Sequence, residues 1–192
     1  FHFNRFLFAE HKFLIARSGW SKQGGFEIYV DDDEKGLELY DTLIQKGEDL
    51  NVRPGCPNLI ERIEGGLLSY GNDMDMHDTP LECGLGSFVS FNPEIEYLGK
   101  KTLERQYEEG VKRSLVGLKL EVDEISVTKF IPIYNDSTKI GELRSACYSP
   151  YFKCCLGIAM INKSEQKLSN TFNLSIDGKE IMTEMTTLPF TK

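Results

Sequence analysis

The chain has 192 residues, with 22 Lys+Arg against 30 Asp+Glu and a formal net charge of −8. That balance, with no basic run, argues against nucleic acid as a partner, and no window reaches the roughly 18 apolar residues of a helical membrane span. The length suits one large domain or two small ones and is enough to bury a core.

"FHFNRFLFAEHKFLIARS" reads as two strands of an antiparallel pair, Phe1 to Phe8 and Lys12 to Arg17, with a bulge or turn expected near Asn4-Arg5, where the alternation of phenylalanines falters. The opening is aromatic and charged, so no signal peptide is read there. Strands already under way at the first residue suggest the back part of a longer protein, with part of any active site outside it. Phe26 to Val30 forms a third strand. "DDDEKGLELYDTLIQKG" begins with acids that suit a helix N-terminus, continues with Leu37, Tyr40, Leu43 and Ile44 at helical spacing, and stops at Gly47. In "RPGCPNLIERIEGG", Pro57 suits a first helical turn, and Leu59, Ile60 and Ile63 make one apolar face before Gly65-Gly66 weakens the end. "NDMDMHDTPLECGLGSFVSF" is irregular and then extended, and "YLGKKTLERQYEEGVKR" is a helix with a solvated charged face.

From Ser114 the character changes to short apolar or alternating runs separated by "NDS", "NKSEQ" and "DGK", with Asp177-Gly178 a strong hairpin signal. Such spacing predicts a small antiparallel barrel. The fold class is therefore α+β followed by a β-barrel, divided into 1–113 and 114–192.

The five cysteines include no C-x-x-C pair and are expected to be reduced thiols of a cytoplasmic protein, with adjacent Cys154 and Cys155 on opposite faces of a strand. His2, His11 and His77 show no ligand spacing, so no metal site is expected.

Glu27 is the sharpest candidate for chemistry. It shares one side of its strand with Tyr29 and opposes Phe26, Ile28 and Val30. It sits either on a solvated face or on a cleft, where a carboxylate can take two parallel N–H bonds from the edge of a heterocycle. Gly24-Gly25 serves as a turn or as a place of close approach. Arg62, flanked by Glu61 and Ile63, is either a surface ion pair or a ligand-holding group. Trp20, the single tryptophan, is a core plug, a stacking surface for a flat ring, or a partner for a cation. No nucleophile constellation and no dinucleotide loop is found.

The blocks "GGFEIYV", "LIERIEGGLLSYGNDM", "TPLECGLGSFV", "YLGKKTL", "SLVGLKL" and "GELRSACYSPYFKCCLGIAMI" stand in the order found in the back half of the folate-dependent aminomethyltransferase family, which includes the T-protein of the glycine cleavage system. The resemblance spans nearly the whole chain. Within the family, "ARSGWSKQGGFEIYV" and "NVRPGCPNLIERIEGGLLSYGNDM" most resemble the dimethylsulfoniopropionate demethylases. T-proteins usually have a Y-T-G-E-D-G-F-E turn where this chain has "GWSKQGGFE", an Arg at the position of Asn58 and a Trp near Ser87.

The resemblance implies the later part of the aminomethyltransferase folate-binding α+β fold, followed by its C-terminal antiparallel barrel. It implies tetrahydrofolate as cofactor, with Glu27 and Arg62 binding it, and dimethylsulfoniopropionate as small-molecule substrate, facing Trp20 and Tyr29. The family's catalytic aspartate and much of its pterin pocket belong to a front half that this chain does not carry, so no catalytic residue is assigned. No nucleic acid or membrane partner is implied, and a homodimer is left open. Two other functions stay open: aminomethyl transfer with a lipoyl-protein partner, and folate binding without catalysis. A piece of such an enzyme that binds nothing alone is the fourth reading.

Overall fold

The computed structural model describes residues 2–8, 10–18, 24–56, 58–167 and 171–190. They fall into two units, 1–58 and 59–192.

In the first unit, β1 (His2–Phe8) and β2 (His11–Arg17) form an antiparallel pair, and β3 (Glu27–Tyr29) pairs with β2. The β1–β2 register runs unbroken from His2↔Arg17 to Phe8↔His11, so the bulge expected near Asn4-Arg5 is absent. Phe3 and Phe6 both remain exposed, on opposite faces, so their spacing reflects no packing demand that a bulge would have to meet. The third strand is shorter than its apolar run, with Phe26 and Val30 left outside it. Helix α1 (Asp33–Lys46) begins where Asp32 accepts the Lys35 amide at 3.0 Å and ends where the Gly47 amide donates to Leu43 O at 3.0 Å. His11 of β2 reaches Glu38 of α1 at 3.1 Å.

The second unit is built on a closed six-stranded barrel in the order β4-β7-β6-β5-β8-β9. Its strands are β4 (Arg113–Leu120), β5 (Ile131–Asn135), β6 (Thr138–Ser149), β7 (Cys154–Asn162), β8 (Thr171–Ile176) and β9 (Lys179–Thr186). All pairings are antiparallel. The β8–β9 hairpin turns on Asp177 and Gly178, both at positive φ (52° and 73°), as the sequence predicts.

Strand β7 is buried on both sides. Cys155, Ala159 and Ile161 fill the barrel interior with Leu118, Ile133, Leu143, Leu174 and Met185. Leu156 and Ile158 point outward, where they pack with Ile63 and Phe190. That double burial is why "CCLGIAMI" is a continuous apolar run, and Cys154 and Cys155 take opposite sides as expected.

Helix α2 (Leu59–Glu64) is the outer cover, seated by Ile63, which is fully buried. It is followed by a turn at Gly66, whose φ of +60° suits glycine and where a Cβ would lie 3.1 Å from the Pro189 Cα. Helix α3 (Lys100–Glu109) precedes the barrel.

Strand β6 departs from simple alternation. Its core-facing residues are Ile140, Leu143 and Ala146, three apart, and its register with β7 shifts between Leu143 and Ser145. A bulge here leaves Leu143, Arg144, Ser145 and Ala146 buried in succession.

Candidate functional site

Glu27 opens β3 opposite Ala16, and both Glu27 and Tyr29 are exposed on the same face of the sheet. The hydroxyl of Ser18 donates to Glu27 Oε2. Arg17, one residue earlier, donates from Nη1 to Gly25 O at 2.8 Å and lies over the Phe26 ring at 4.7 Å. Consecutive residues of β2 and its end thus hold both the turn before β3 and the carboxylate that opens it. Trp20 lies outside the described residues. His2, Asn4, Phe6, Ile15, Arg17 and Phe26, with Phe3 of the edge strand β1, line a cleft of about 330 Å³, mostly on the sheet face away from Glu27.

Arg62, in the second unit, is no surface residue. It is 6% exposed, and its ion-pair partner is Asp73, 11 residues further along the chain. Nη1 donates to Asp73 Oδ2 at 2.5 Å and to Leu67 O at 3.0 Å. Asp73 is fully buried and also accepts the Ser69 amide at 2.7 Å and the Ser145 hydroxyl. A buried ion pair is costly unless its remaining lone pairs are met, and here backbone and hydroxyl donors meet them. Asp73 and Leu67 both use Nη1, so neither engages Nη2 or Nε.

Two residues along α2, Glu64 Oε1 accepts the Ser149 hydroxyl at 2.6 Å, and Ser149 in turn accepts the Phe152 amide at 3.1 Å. The R-x-E-x-G helix, the Y-G-N-D-M loop and the S-x-x-x-S of β6 are therefore one network. Arg62 reaches Ser145 through Asp73, Glu64 reaches Ser149 directly, and Gly66 provides the turn.

The same loop is tied to the barrel a second time. Asp78, its side chain fully buried, lies 3.0 Å from Arg113 Nη2 and 3.3 Å from Arg144 Nη2. Arg113 also bonds Glu82 at 2.9 Å, and Arg144, 3% exposed, meets Glu142 at 3.3 Å and lies over Phe130 at 3.8 Å. The β6 bulge explains how adjacent Arg144 and Ser145 address Asp78 and Asp73 of one loop. Burial pushes Glu82 up, but the Arg113 hydrogen bond and the Thr79 amide outweigh it, and the carboxyl ends below its ordinary range. Burial pushes the Cys83 and Cys147 thiols up to about 11.

Sequence reasoning singled out Arg62 but missed Asp73, Asp78, Arg144 and Ser145. The signal was the run of acids in "NDMDMHD" against the adjacent Arg-Ser of "GELRSACYS", two segments whose meeting depends on chain folding. All five cysteines are free. Among the described residues no cluster of His, Cys, Asp or Glu is placed to hold a metal ion, and no helix is long and apolar enough to cross a membrane.

Residues 1–93 match the family model described as the GCVT N-terminal domain, and residues 113–192 match that of the glycine cleavage T-protein C-terminal barrel domain. The chain belongs to the glycine cleavage T-protein family. It is 45% identical over 164 residues to the dimethylsulfoniopropionate demethylase DmdA of Ruegeria pomeroyi, covering 85% of this chain and 44% of that protein. It is 32% identical over 182 residues to an aminomethyltransferase of Alkaliphilus metalliredigens, covering 93% of this chain and 48% of the relative. The fold matches the crystal structure of the glycine cleavage system aminomethyltransferase T from Bartonella henselae with a TM-score of 0.78 at 24% identity, over 93% of this chain and 50% of that one. The chain thus has the α+β-then-barrel architecture of the aminomethyltransferases and spans about half the length of the relatives it matches.

Proposed function

We propose that the full-length gene product carrying this chain moves a methyl group from the sulfonium of dimethylsulfoniopropionate to tetrahydrofolate, leaving methylmercaptopropionate. The observation that carries this reading is the 45% identity over 164 residues to a protein named as that demethylase.

Tetrahydrofolate, when bound, supplies N5 as the methyl acceptor. The donor set suits it. Glu27 offers an exposed carboxylate, with Ser18 on one oxygen, to the N–H edge of a pterin. Arg62 keeps Nη2 and Nε clear of the Asp73 pair and is the second cofactor contact. Tyr29, beside Glu27 on the exposed face, and Trp20 are assigned to the sulfonium, whose positive charge an aromatic face attracts. The sulfur keeps the electron pair of its S–CH₃ bond and departs as a neutral thioether, so the chain needs no general acid at that atom. Its residues are asked to hold the two reactants in line and to exclude water.

Aminomethyl transfer is the second reading, supported by the 32% identity to a protein named aminomethyltransferase over more of this chain. The two separate in a substrate comparison on the full-length gene product with tetrahydrofolate. The proposal expects turnover of dimethylsulfoniopropionate and none of an aminomethyl-lipoyl carrier, and the reverse result would overturn it.

A further inference from the structure

We propose that Asp73 and Ser145 are positioning residues for Arg62, so that the barrel strand β6 sets the aim of the guanidinium toward the cofactor; this rests on the folate reading of Arg62 given above. Three observations support it. First, the pair is built rather than incidental: Asp73 is fully buried, Arg62 is 6% exposed, and each oxygen of Asp73 has a donor. Second, the contacts divide the guanidinium. Asp73 and Leu67 both take Nη1, which fixes the plane of the group without using Nη2 or Nε. A long side chain otherwise samples many rotamers, and fixing one in advance lowers the cost of binding. Third, the Ser145 hydroxyl reaches Asp73 from 72 residues away and does so at the bulge, where the strand abandons alternation to present it. A bulge that re-aims a side chain into a buried polar network is a positioning device.

The consequence is that a residue of a barrel strand, with no assigned ligand contact, controls cofactor affinity. The test uses the full-length gene product and tetrahydrofolate binding at equilibrium under anaerobic conditions. Ser145→Ala is expected to weaken binding about tenfold, the scale of a lost hydrogen bond to a charged group. Ser145→Thr, which restores the hydroxyl, is expected to return affinity to within about twofold of wild type. Ile181→Val, a barrel-core change that lowers stability without touching the network, is expected to leave affinity unchanged.

The decisive readout is coupling: in an Arg62→Ala background, Ser145→Ala should cost nothing further. If Ser145→Ala does not fold, Asp73→Asn answers the same question, with a comparable loss supporting the proposal and wild-type affinity overturning it. If Arg62→Ala weakens binding and Ser145→Ala does not, the positioning proposal falls while the folate reading of Arg62 stands. If Arg62→Ala binds tetrahydrofolate like wild type, the folate reading of Arg62 falls, and the positioning proposal with it.

Discussion

Asp78→Ala should destabilise the second unit sharply. The Asp78 side chain is fully buried and is shared by Arg113 at 3.0 Å and Arg144 at 3.3 Å. Arg113 is about one-third exposed and keeps Glu82, so it loses little. Arg144 is 3% exposed and its Nε lacks a partner among the described residues, so it is left with Glu142 at 3.3 Å and the face of Phe130. Removing one member of a buried ion pair costs about 3–5 kcal/mol, and the surviving Glu142 contact places this case near 3 kcal/mol. That corresponds to about a hundredfold faster opening of the barrel. Hydrogen exchange of the β7 amides, residues 154–162, in the full-length gene product reads that opening directly. Adding Arg144→Met to Asp78→Ala should recover part of the loss, because the stranded charge is then gone. Exchange within about threefold of wild type in Asp78→Ala would show that the network is not a buried weld.

Glu27→Ala should weaken tetrahydrofolate binding about tenfold to a hundredfold, the range for a hydrogen bond to a charged group; wild-type affinity by equilibrium titration would return Glu27 to the solvated-strand reading. Glu82, held below its ordinary value of 4.5, contributes stability that is complete above that pH and is lost as pH falls through the lower folded value. The slope of unfolding midpoint against pH below 4.5 should therefore flatten in Glu82→Gln, and an unchanged slope would contradict the assignment. At pH 8 a thiol reagent should modify exposed Cys56 rapidly and spare Cys83 and Cys147, whose thiols titrate at about 11; prompt labelling of Cys83 in the folded protein, read by peptide mass, would show that its burial is overstated.

Local chemistry was readable in the chain. The acids before α1, Gly47 after it, and Asp177-Gly178 between β8 and β9 each act within a few residues, and all three work as expected. Strand β6 was not readable in the same way. Its core positions fall three apart at Ile140, Leu143 and Ala146, because bulges, which a period-two pattern cannot show, bring them inward. Arg62 was legible as a candidate but not in its surroundings. Its neighbours in sequence are Glu61 and Ile63, whereas its ion-pair partner lies 11 residues on in an irregular loop. The unbroken β1–β2 register shows the opposite error, in which exposed aromatics were read as evidence for a packing pattern they do not serve. The ordered motifs named the family, and the physical reason for their order emerged only when the R-x-E helix, the acidic loop and the two serines of β6 met in one network.

The most direct test of the proposed activity follows the methyl group. The full-length gene product, supplied with tetrahydrofolate and dimethylsulfoniopropionate labelled in its S-methyl groups, should yield labelled 5-methyltetrahydrofolate and methylmercaptopropionate in equal amounts. Unlabelled folate after prolonged incubation, with turnover of an aminomethyl-lipoyl substrate by the same preparation, would contradict the assignment to sulfonium demethylation.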